Sequence, residues 1–215
     1  MLNIQSFEFN PFNENTYLLW DVGTKETAII DPGCYDDFEK SELKNFIEEQ
    51  NLIPKLLINT HCHIDHILGV SFIKENFNVK YMIPEKDLPL HKNAMSQGQM
   101  FGFDLMELPA PDEFISEDKI IKLGGEELQP LFTPGHTAGE YCFYSERNKI
   151  CITGDVLFHQ SIGRTDLWGG DYDTLINSIK TKLLALPDET KIYPGHGIDS
   201  TIGTERKQNP FLINI

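Results

Sequence analysis

The order of apolar and polar residues along the first half of the chain predicts strands separated by helices. Short apolar runs typical of β-strands occupy residues 4–9, 16–21, 26–31, 55–59 and 79–83. Two helices are predicted between them, at 36–50 and 65–76, and the first has Leu43, Phe46 and Ile47 at helical spacing. The turn signal Asp31-Pro32-Gly33 ends the third strand.

The second half of the chain repeats this arrangement after an irregular stretch. Residues 84–112 hold three methionines and several prolines and glycines, and we predict a helix plus loop there. Further strands are predicted at 119–123, 127–132, 141–144, 149–153 and 191–193. A helix is predicted after Asp171 from the spacing of Tyr172, Leu175, Ile176, Ile179 and Leu183. Strands followed by a helix, twice, predict an α/β fold in which two β-sheets lie face to face with helices outside.

Metal-binding side chains are concentrated directly after the strand at 55–59. His61, His63, Asp65 and His66 lie within six residues, and the chain has only 7 histidines. Imidazole and carboxylate groups are the ligands of borderline divalent metals. His61 and His63 point the same way if that segment stays extended, whereas Asp65 and His66 open the next helix. The two pairs therefore favour two neighbouring ions.

Three further candidate ligands follow downstream. His136 and His196 each come after a Pro-Gly pair, and Asp155 follows the apolar run 151–154. We predict that His136 completes a first site with His61 and His63, and that His196 completes a second with Asp65 and His66. Asp155 is suited to bridge the two ions, because a carboxylate has two oxygens to share. The glycines before His136 and His196 would let the backbone turn sharply near the metals.

Composition and charge exclude several classes of protein. With a formal net charge of −15, the 215-residue chain lacks the basic surface that nucleic acids or anionic membranes require. It has no apolar run long enough to span a bilayer, and no secretion signal at its start. We therefore expect a cytoplasmic protein, monomeric or homodimeric. Its scattered cysteines, Cys34, Cys62, Cys142 and Cys151, are expected to be reduced and mostly buried.

The motifs 60–66, 134–139, 153–155 and 193–197, together with Asp31-Pro32-Gly33, resemble the metallo-β-lactamase superfamily and, within it, the glyoxalase II-like hydrolases. The resemblance covers nearly the whole chain. It implies an αββα sandwich of two mixed β-sheets with helices on the outer faces, and a dinuclear site for zinc, with iron and manganese as alternatives. It also implies that Asp31 orients metal ligands from behind.

Glyoxalase II proper has a C-terminal helical domain that helps to hold glutathione, whereas here only about twenty residues follow His196. The chain is accordingly similar to the short subgroup with a single domain, which we expect to span 1–215. The resemblance implies hydrolysis of a small-molecule thioester, such as S-lactoylglutathione or a related acyl thiol, by a metal-activated hydroxide. Asp65 and Asp155 are the expected catalytic carboxylates.

Other assignments stay open at the level of sequence. Arg164 is a candidate for binding a substrate carboxylate, and the alternative is an ion pair with Asp166. His91 and His159 fit no ligand position. A second function is also compatible with the motifs, that of a persulfide dioxygenase-like oxidoreductase with one iron held by His61, His136 and Asp155.

Overall fold

The computed structural model describes residues 1–213. The chain divides into two compact units. The first contains residues 1–114 and 122–126, and the second contains residues 115–121 and the chain from Glu127 onward. The expectation of a single domain over 1–215 stays a prediction.

A six-stranded mixed sheet has the strands in the order of the sequence. They are β1 (Leu2–Phe9), β2 (Glu14–Asp21), β3 (Glu26–Ile30), β4 (Ile53–Ile58), β5 (Lys80–Pro84) and β6 (Glu113–Ile115). The pairs β1–β2 and β2–β3 are antiparallel, and β3–β4 and β4–β5 are parallel. Because carboxyl ends of parallel strands meet at one edge, the residues that follow β3 and β4 lie side by side.

A second six-stranded sheet has the order β14-β13-β10-β9-β8-β7. Its strands are β7 (Ile121–Leu123), β8 (Glu126–Phe132), β9 (Tyr141–Ser145), β10 (Ile150–Gly154), β13 (Lys191–Pro194) and β14 (Ser200–Thr201). A separate hairpin consists of β11 (Leu157–Phe158) and β12 (Ser161–Ile162). The strands β10 and β13 are parallel, so the segments after them, which carry Asp155 and His196, leave the sheet at the same edge.

Seven α-helices accompany the sheets within residues 1–213. They are α1 (Asp37–Glu49), α2 (Ile64–Ile67), α3 (Val70–Asn76), α4 (Leu88–Lys92), α5 (Ala94–Phe101), α6 (Tyr172–Ser178) and α7 (Ile202–Gln208). Helix α1 begins with a capping box, in which Asp36 accepts from the Glu39 amide while Glu39 reaches back. Its buried Leu43 and Ile47 face the core. None of these helices is long and apolar enough to cross a bilayer.

The predicted helix at 65–76 is interrupted. It is two helices, α2 and α3, separated at Leu68 and Gly69. The Gly69 amide donates to the Pro32 carbonyl at 2.7 Å, and a Cβ on Gly69 would lie 2.6 Å from the Cys34 sulfur. The loop after β3 therefore packs against the backbone at Gly69, and α2 ends after a single helical turn.

Several short elements were not predicted. These are β6, the β11–β12 hairpin, β14 and α7, which have two to seven residues each. Segments this short contain too few residues to show a recognisable period of apolar positions. The helix predicted after Asp171 is present as α6, but its last turn, Ile179–Leu183, is a π-helix.

Each unit has its own apolar core. In the first, α1 and α3 bury Leu43, Ile47 and Ile73 with the sheet residues Leu18 and Ile29. In the second, α6 and the following π-helical turn bury Leu175, Ile179 and Leu183 with Cys151 and Ile192. Most of the residues that set the helical period thus lie in the cores, whereas Tyr172 at the start of α6 is exposed.

The four cysteines are free and buried, as the sequence predicted. Burial raises the pKa of the Cys34 thiol to about 12, and burial also raises the pKa of Cys62 and Cys142 well above their ordinary value. A raised pKa keeps the thiol protonated and unreactive at pH 8.

We expect iodoacetamide at pH 8 to label the native protein at fewer than about 0.2 sites per chain, because the buried thiols are out of reach of the reagent and form little thiolate. Unfolding in guanidinium should expose four sites. Mass spectrometry of the two samples measures the difference. Rapid labelling of Cys34 or Cys62 in the native protein would contradict the packing described above.

Candidate metal centre

The first unit brings together the four candidate ligands that follow β4. The ring centroids of His61 and His63 lie 4.8 Å apart, and those of His61 and His66 lie 4.1 Å apart. The Asp65 carboxylate is 3.6 Å from Nε2 of His66. His61 and His66 are fully buried, whereas His63 and Asp65 are partly exposed.

Asp31 supports this cluster from behind. Its φ of +49° places it in the left-handed region, which is strained for a residue with a side chain. The carboxylate accepts from the amide and the hydroxyl of Thr60, each at 2.7 Å, and lies 3.2 Å from Nδ1 of His66. A carboxylate on Nδ1 fixes the imidazole so that Nε2 faces a metal.

Asn59 links Asp31 to the backbone of His66. Its amide nitrogen donates to the His66 carbonyl at 2.7 Å and to Oδ1 of Asp31 at 3.3 Å. The hydroxyl of Tyr81 on β5 donates to the amide oxygen of Asn59 at 3.0 Å. With a donor on its oxygen, the amide must turn its nitrogen toward the two acceptors. Tyr81 therefore sets the orientation of Asn59.

Glu14 was missed in the sequence analysis. It is fully buried at the start of β2, and Oε1 lies 3.8 Å from Nδ1 of His66. Burial raises the pKa of this carboxyl well above its ordinary value, while the positive potential of His66 opposes the shift. Strand β2 is buried at every position, so no alternation of polar and apolar residues singled Glu14 out.

The second unit brings together Asp155 and the two downstream histidines. One oxygen of Asp155, Oδ2, is 3.5 Å from Nε2 of His136 and 3.6 Å from Nε2 of His196. Gly135 has a φ of +133°, and a side chain there would overlap Leu175. The close turn before His136 therefore requires glycine at this position. At His196 the positive φ falls on Gly197, after the histidine, and the role predicted for the preceding glycine stays a prediction.

The segment after β12 fixes the orientation of His136. The Arg164 carbonyl lies 2.7 Å from Nδ1 of His136, so Nδ1 donates and Nε2 is turned toward Asp155. A side chain on Gly163 would overlap the Asp155 carbonyl and lie 3.2 Å from the His136 Cβ. Only glycine fits between the two candidate ligands.

The side chain of Arg164 forms the ion pair that was the alternative assignment. Its Nε and Nη2 donate to the two oxygens of Asp166 at 2.7 and 2.8 Å. These hydrogen bonds lower the pKa of the exposed Asp166 to about 2. A substrate contact by Arg164 stays a prediction.

Glu140 is a second buried acid that the sequence analysis missed. Its Oε1 accepts from the Asp155 amide at 2.7 Å, and the residue is fully buried. It follows the motif 134–139 by one position, and that proximity was the only signal available. Glu140 thus holds the backbone amide of Asp155, just as Asp31 holds the backbone amide of Thr60 beside the first cluster.

His91 and His159 were given no ligand role. His91 is buried on α4, where burial lowers its pKa, and its ring lies 5.8 Å from that of Tyr81. His159 is partly exposed and lies 3.6 Å from the buried Glu205. Neither belongs to the groups of candidate ligands within the described residues.

Donor spacing in both units fits a divalent ion. Two ligands at about 2.1 Å from a tetrahedral metal are about 3.4 Å apart. The carboxylate–imidazole separations of 3.5, 3.6 and 3.6 Å at His136, His196 and His66 match this value and are too long for hydrogen bonds. The residues define a metal-binding α/β protein whose ligands follow strand ends.

Comparison with known proteins identifies the family of the chain. The profile of the Metallo-beta-lactamase superfamily matches residues 9–196. The chain is 43% identical over 213 residues to the hydroxyacylglutathione hydrolase GloC of Haemophilus influenzae, covering 98% of both chains. It is similar to the crystal structure of the BLEG-1 B3 metallo-beta-lactamase, with 32% identity, a TM-score of 0.89, and 98% and 99% of the two chains covered.

A further solved structure, TTHA1623 in a di-iron-bound form, is 34% identical with a TM-score of 0.86, and 97% and 100% of the chains are covered. The chain belongs to the metallo-beta-lactamase superfamily, and its fold is the metallo-β-lactamase fold. It is a metal-dependent hydrolase of that superfamily.

We expect Gly163→Ala to weaken metal binding by about 10- to 100-fold, because the new methyl displaces Asp155 and His136. Isothermal titration of zinc into the metal-free protein measures the loss. Gly23→Ala is the control, since its Cβ would be in ordinary contact, 3.6 Å from Asp21. Unchanged affinity in Gly163→Ala would show that this glycine does not hold the two ligands in place.

Asn59→Asp replaces the donating nitrogen by an oxygen that faces the Asp31 carboxylate. We expect it to reduce the free energy of unfolding by about 3 kcal/mol or more, and Tyr81→Phe to reduce it by about 1–3 kcal/mol. Urea denaturation measures both. Tyr172→Phe, at an exposed tyrosine, should change stability by less than about 0.5 kcal/mol. An Asn59→Asp variant whose free energy of unfolding is unchanged would refute the hydrogen-bond network around Asn59.

Proposed function

We propose that this protein hydrolyses small-molecule thioesters, with S-2-hydroxyacylglutathiones such as S-lactoylglutathione as the first class to test. The observation that carries the proposal is the position of Asp155, whose one oxygen lies within 3.6 Å of two imidazole nitrogens. The identity of 43% to a hydroxyacylglutathione hydrolase supports the choice of thioester.

In this proposal seven side chains would hold two divalent ions. His61, His63 and His136 would hold one ion, Asp65, His66 and His196 would hold the other, and Asp155 would contribute to both. The donor spacings in each unit support this division. Imidazole and carboxylate donors suit zinc, iron and manganese alike, and we propose zinc, with iron as the principal alternative because the similar TTHA1623 is described with two irons.

Bound divalent ions supply Lewis acidity, which polarises a thioester carbonyl and lowers the pKa of water. The chain's own residues prepare the site for this. The Arg164 carbonyl keeps the proton of His136 on Nδ1, and Asp31 does the same for His66. Asp65, whose carboxylate is partly exposed beside His66, orients the water and accepts its proton. Asp155 is the second catalytic carboxylate.

The remaining assignments extend the same proposal. Free buried thiols fit a reducing compartment, so we propose a cytoplasmic location. The acidic chain is proposed to act on a small molecule rather than on nucleic acid or membrane, as a monomer or homodimer.

We expect zinc-loaded protein to hydrolyse S-lactoylglutathione, and Asp155→Asn to reduce kcat/KM by at least about 100-fold, because the shared carboxylate is lost. Loss of absorbance at 240 nm follows the thioester bond. Asp188→Asn is the control, since Asp188 lies at the surface and pairs with Arg206.

Three results would redirect the assignment. Hydrolysis that survives in Asp155→Asn would remove the basis of the mechanism. Faster turnover of a cephalosporin than of any thioester would favour a lactamase activity like that named for BLEG-1. One iron per chain, with oxygen uptake on glutathione persulfide, would favour the dioxygenase alternative.

A further inference from the structure

The segment from Arg164 to Asp171 is fastened at both ends to the turn that carries His136. At one end the Arg164 carbonyl contacts Nδ1 of His136 at 2.7 Å. At the other end the Asp171 amide donates to the Gly135 carbonyl at 2.8 Å. The residues between these contacts form a short loop against a candidate metal ligand.

The tip of this loop is a tight turn with Trp168 at its corner. The Gly170 amide donates to the Leu167 carbonyl at 2.9 Å, and Gly169 has a φ of +85°, as the third residue of a type II turn requires. A Cβ on Gly169 would lie 3.3 Å from the amide nitrogen of Ala138. Since consecutive Cα atoms are about 3.8 Å apart, the backbone of Trp168 lies close to the backbone that follows His136.

Trp168 is exposed although it is the largest apolar side chain of the loop. It is 61% exposed, and Leu167 and Tyr172 nearby are 40% and 49% exposed. Within residues 1–213 its side chain has no ring contact and no hydrogen bond. An indole ring gains free energy when its faces are covered, so this surface is available to a ligand.

The charges around the loop favour an uncharged group as that ligand. Arg164 is the cation of the loop, and both oxygens of Asp166 already engage it. The formal net charge of −15 disfavours an additional negative charge on the acyl group. The loop therefore offers an exposed aromatic side chain, on a segment fastened to His136, and little excess positive charge.

We propose that Trp168 is a specificity-determining residue, which stacks on an apolar or aromatic acyl group of the thioester. This inference rests on the proposed function and deepens it by naming the acyl class. S-Mandeloylglutathione and S-lactoylglutathione share the thiol and the 2-hydroxyl, and differ in a phenyl in place of a methyl group. Their comparison isolates the contact with the acyl side chain.

We expect kcat/KM to be about tenfold higher for the mandeloyl than for the lactoyl thioester, a ratio in the range of one aromatic contact. Trp168→Ala should bring the ratio close to one and change turnover of the lactoyl substrate by less than about threefold. Phe38→Ala, which removes an exposed aromatic ring on α1, is the matched control and should leave the ratio unchanged.

A binding measurement tests the contact without catalysis. The chain has two tryptophans, and Trp20 is buried, so Trp20→Phe leaves Trp168 as the only tryptophan, which is excited selectively at wavelengths where tyrosine does not absorb. S-Benzylglutathione is a thioether that cannot be hydrolysed as a thioester. We expect it to change the emission of Trp168 saturably, at concentrations where S-methylglutathione has no effect.

The outcomes separate this inference from the proposed function. If neither thioester is hydrolysed, the proposed function fails. If both are hydrolysed but Trp168→Ala leaves the ratio unchanged, the specificity role is wrong while the function stands. A protein that is dimeric by size-exclusion chromatography, and that Trp168→Ala makes monomeric, would show that a second copy covers Trp168, which also overturns the proposal.

Discussion

The hydrogen bonds that converge on the buried Asp31 carboxylate hold the first cluster of donors together. They join the end of β3 to Thr60 and Asn59 after β4, while the same carboxylate faces Nδ1 of His66. An ionised carboxylate without such partners would be costly to bury. Its hydrogen bonds also balance the strained φ of Asp31, so the support of the ligands and the local stability of the fold depend on the same contacts.

The second unit reaches the same result with different groups. Asp155 has its amide held by the buried Glu140, and His136 has its tautomer set by a backbone carbonyl rather than by a carboxylate. In both units the reactive edge of an imidazole is determined by an acceptor on the opposite nitrogen. Rigid strand ends supply the donors, and neighbouring segments supply their orientation. The loop from Arg164 to Asp171 is one of these neighbouring segments, because its Arg164 carbonyl orients His136, while the Trp168 side chain at its tip is exposed.

Elements with a strong hydrophobic period could be predicted from the sequence, whereas the ligand roles of the candidate residues stay predictions. The first three strands, helix α1 and helix α6 with its buried Leu175 agree with the structure, because burial selected the residues that set their pattern. The break at Gly69 and the short strands β11, β12 and β14 could not be predicted in this way. They depend on contacts between segments distant in the chain, such as Gly69 with Pro32, which leave no local period.

Residue chemistry alone therefore predicted a metal site of histidine and aspartate ligands at successive strand ends, and the resemblance of the motifs predicted the metallo-β-lactamase superfamily, which the match over residues 9–196 confirms. Only the tertiary structure revealed the groups that orient those ligands. Glu140, Tyr81 and the Arg164 carbonyl act through position and not through residue type, and the carbonyl is present in every residue. Their roles arise from folding, which brings acceptors and donors within about 3 Å of each other in a buried environment where each polar contact is strengthened.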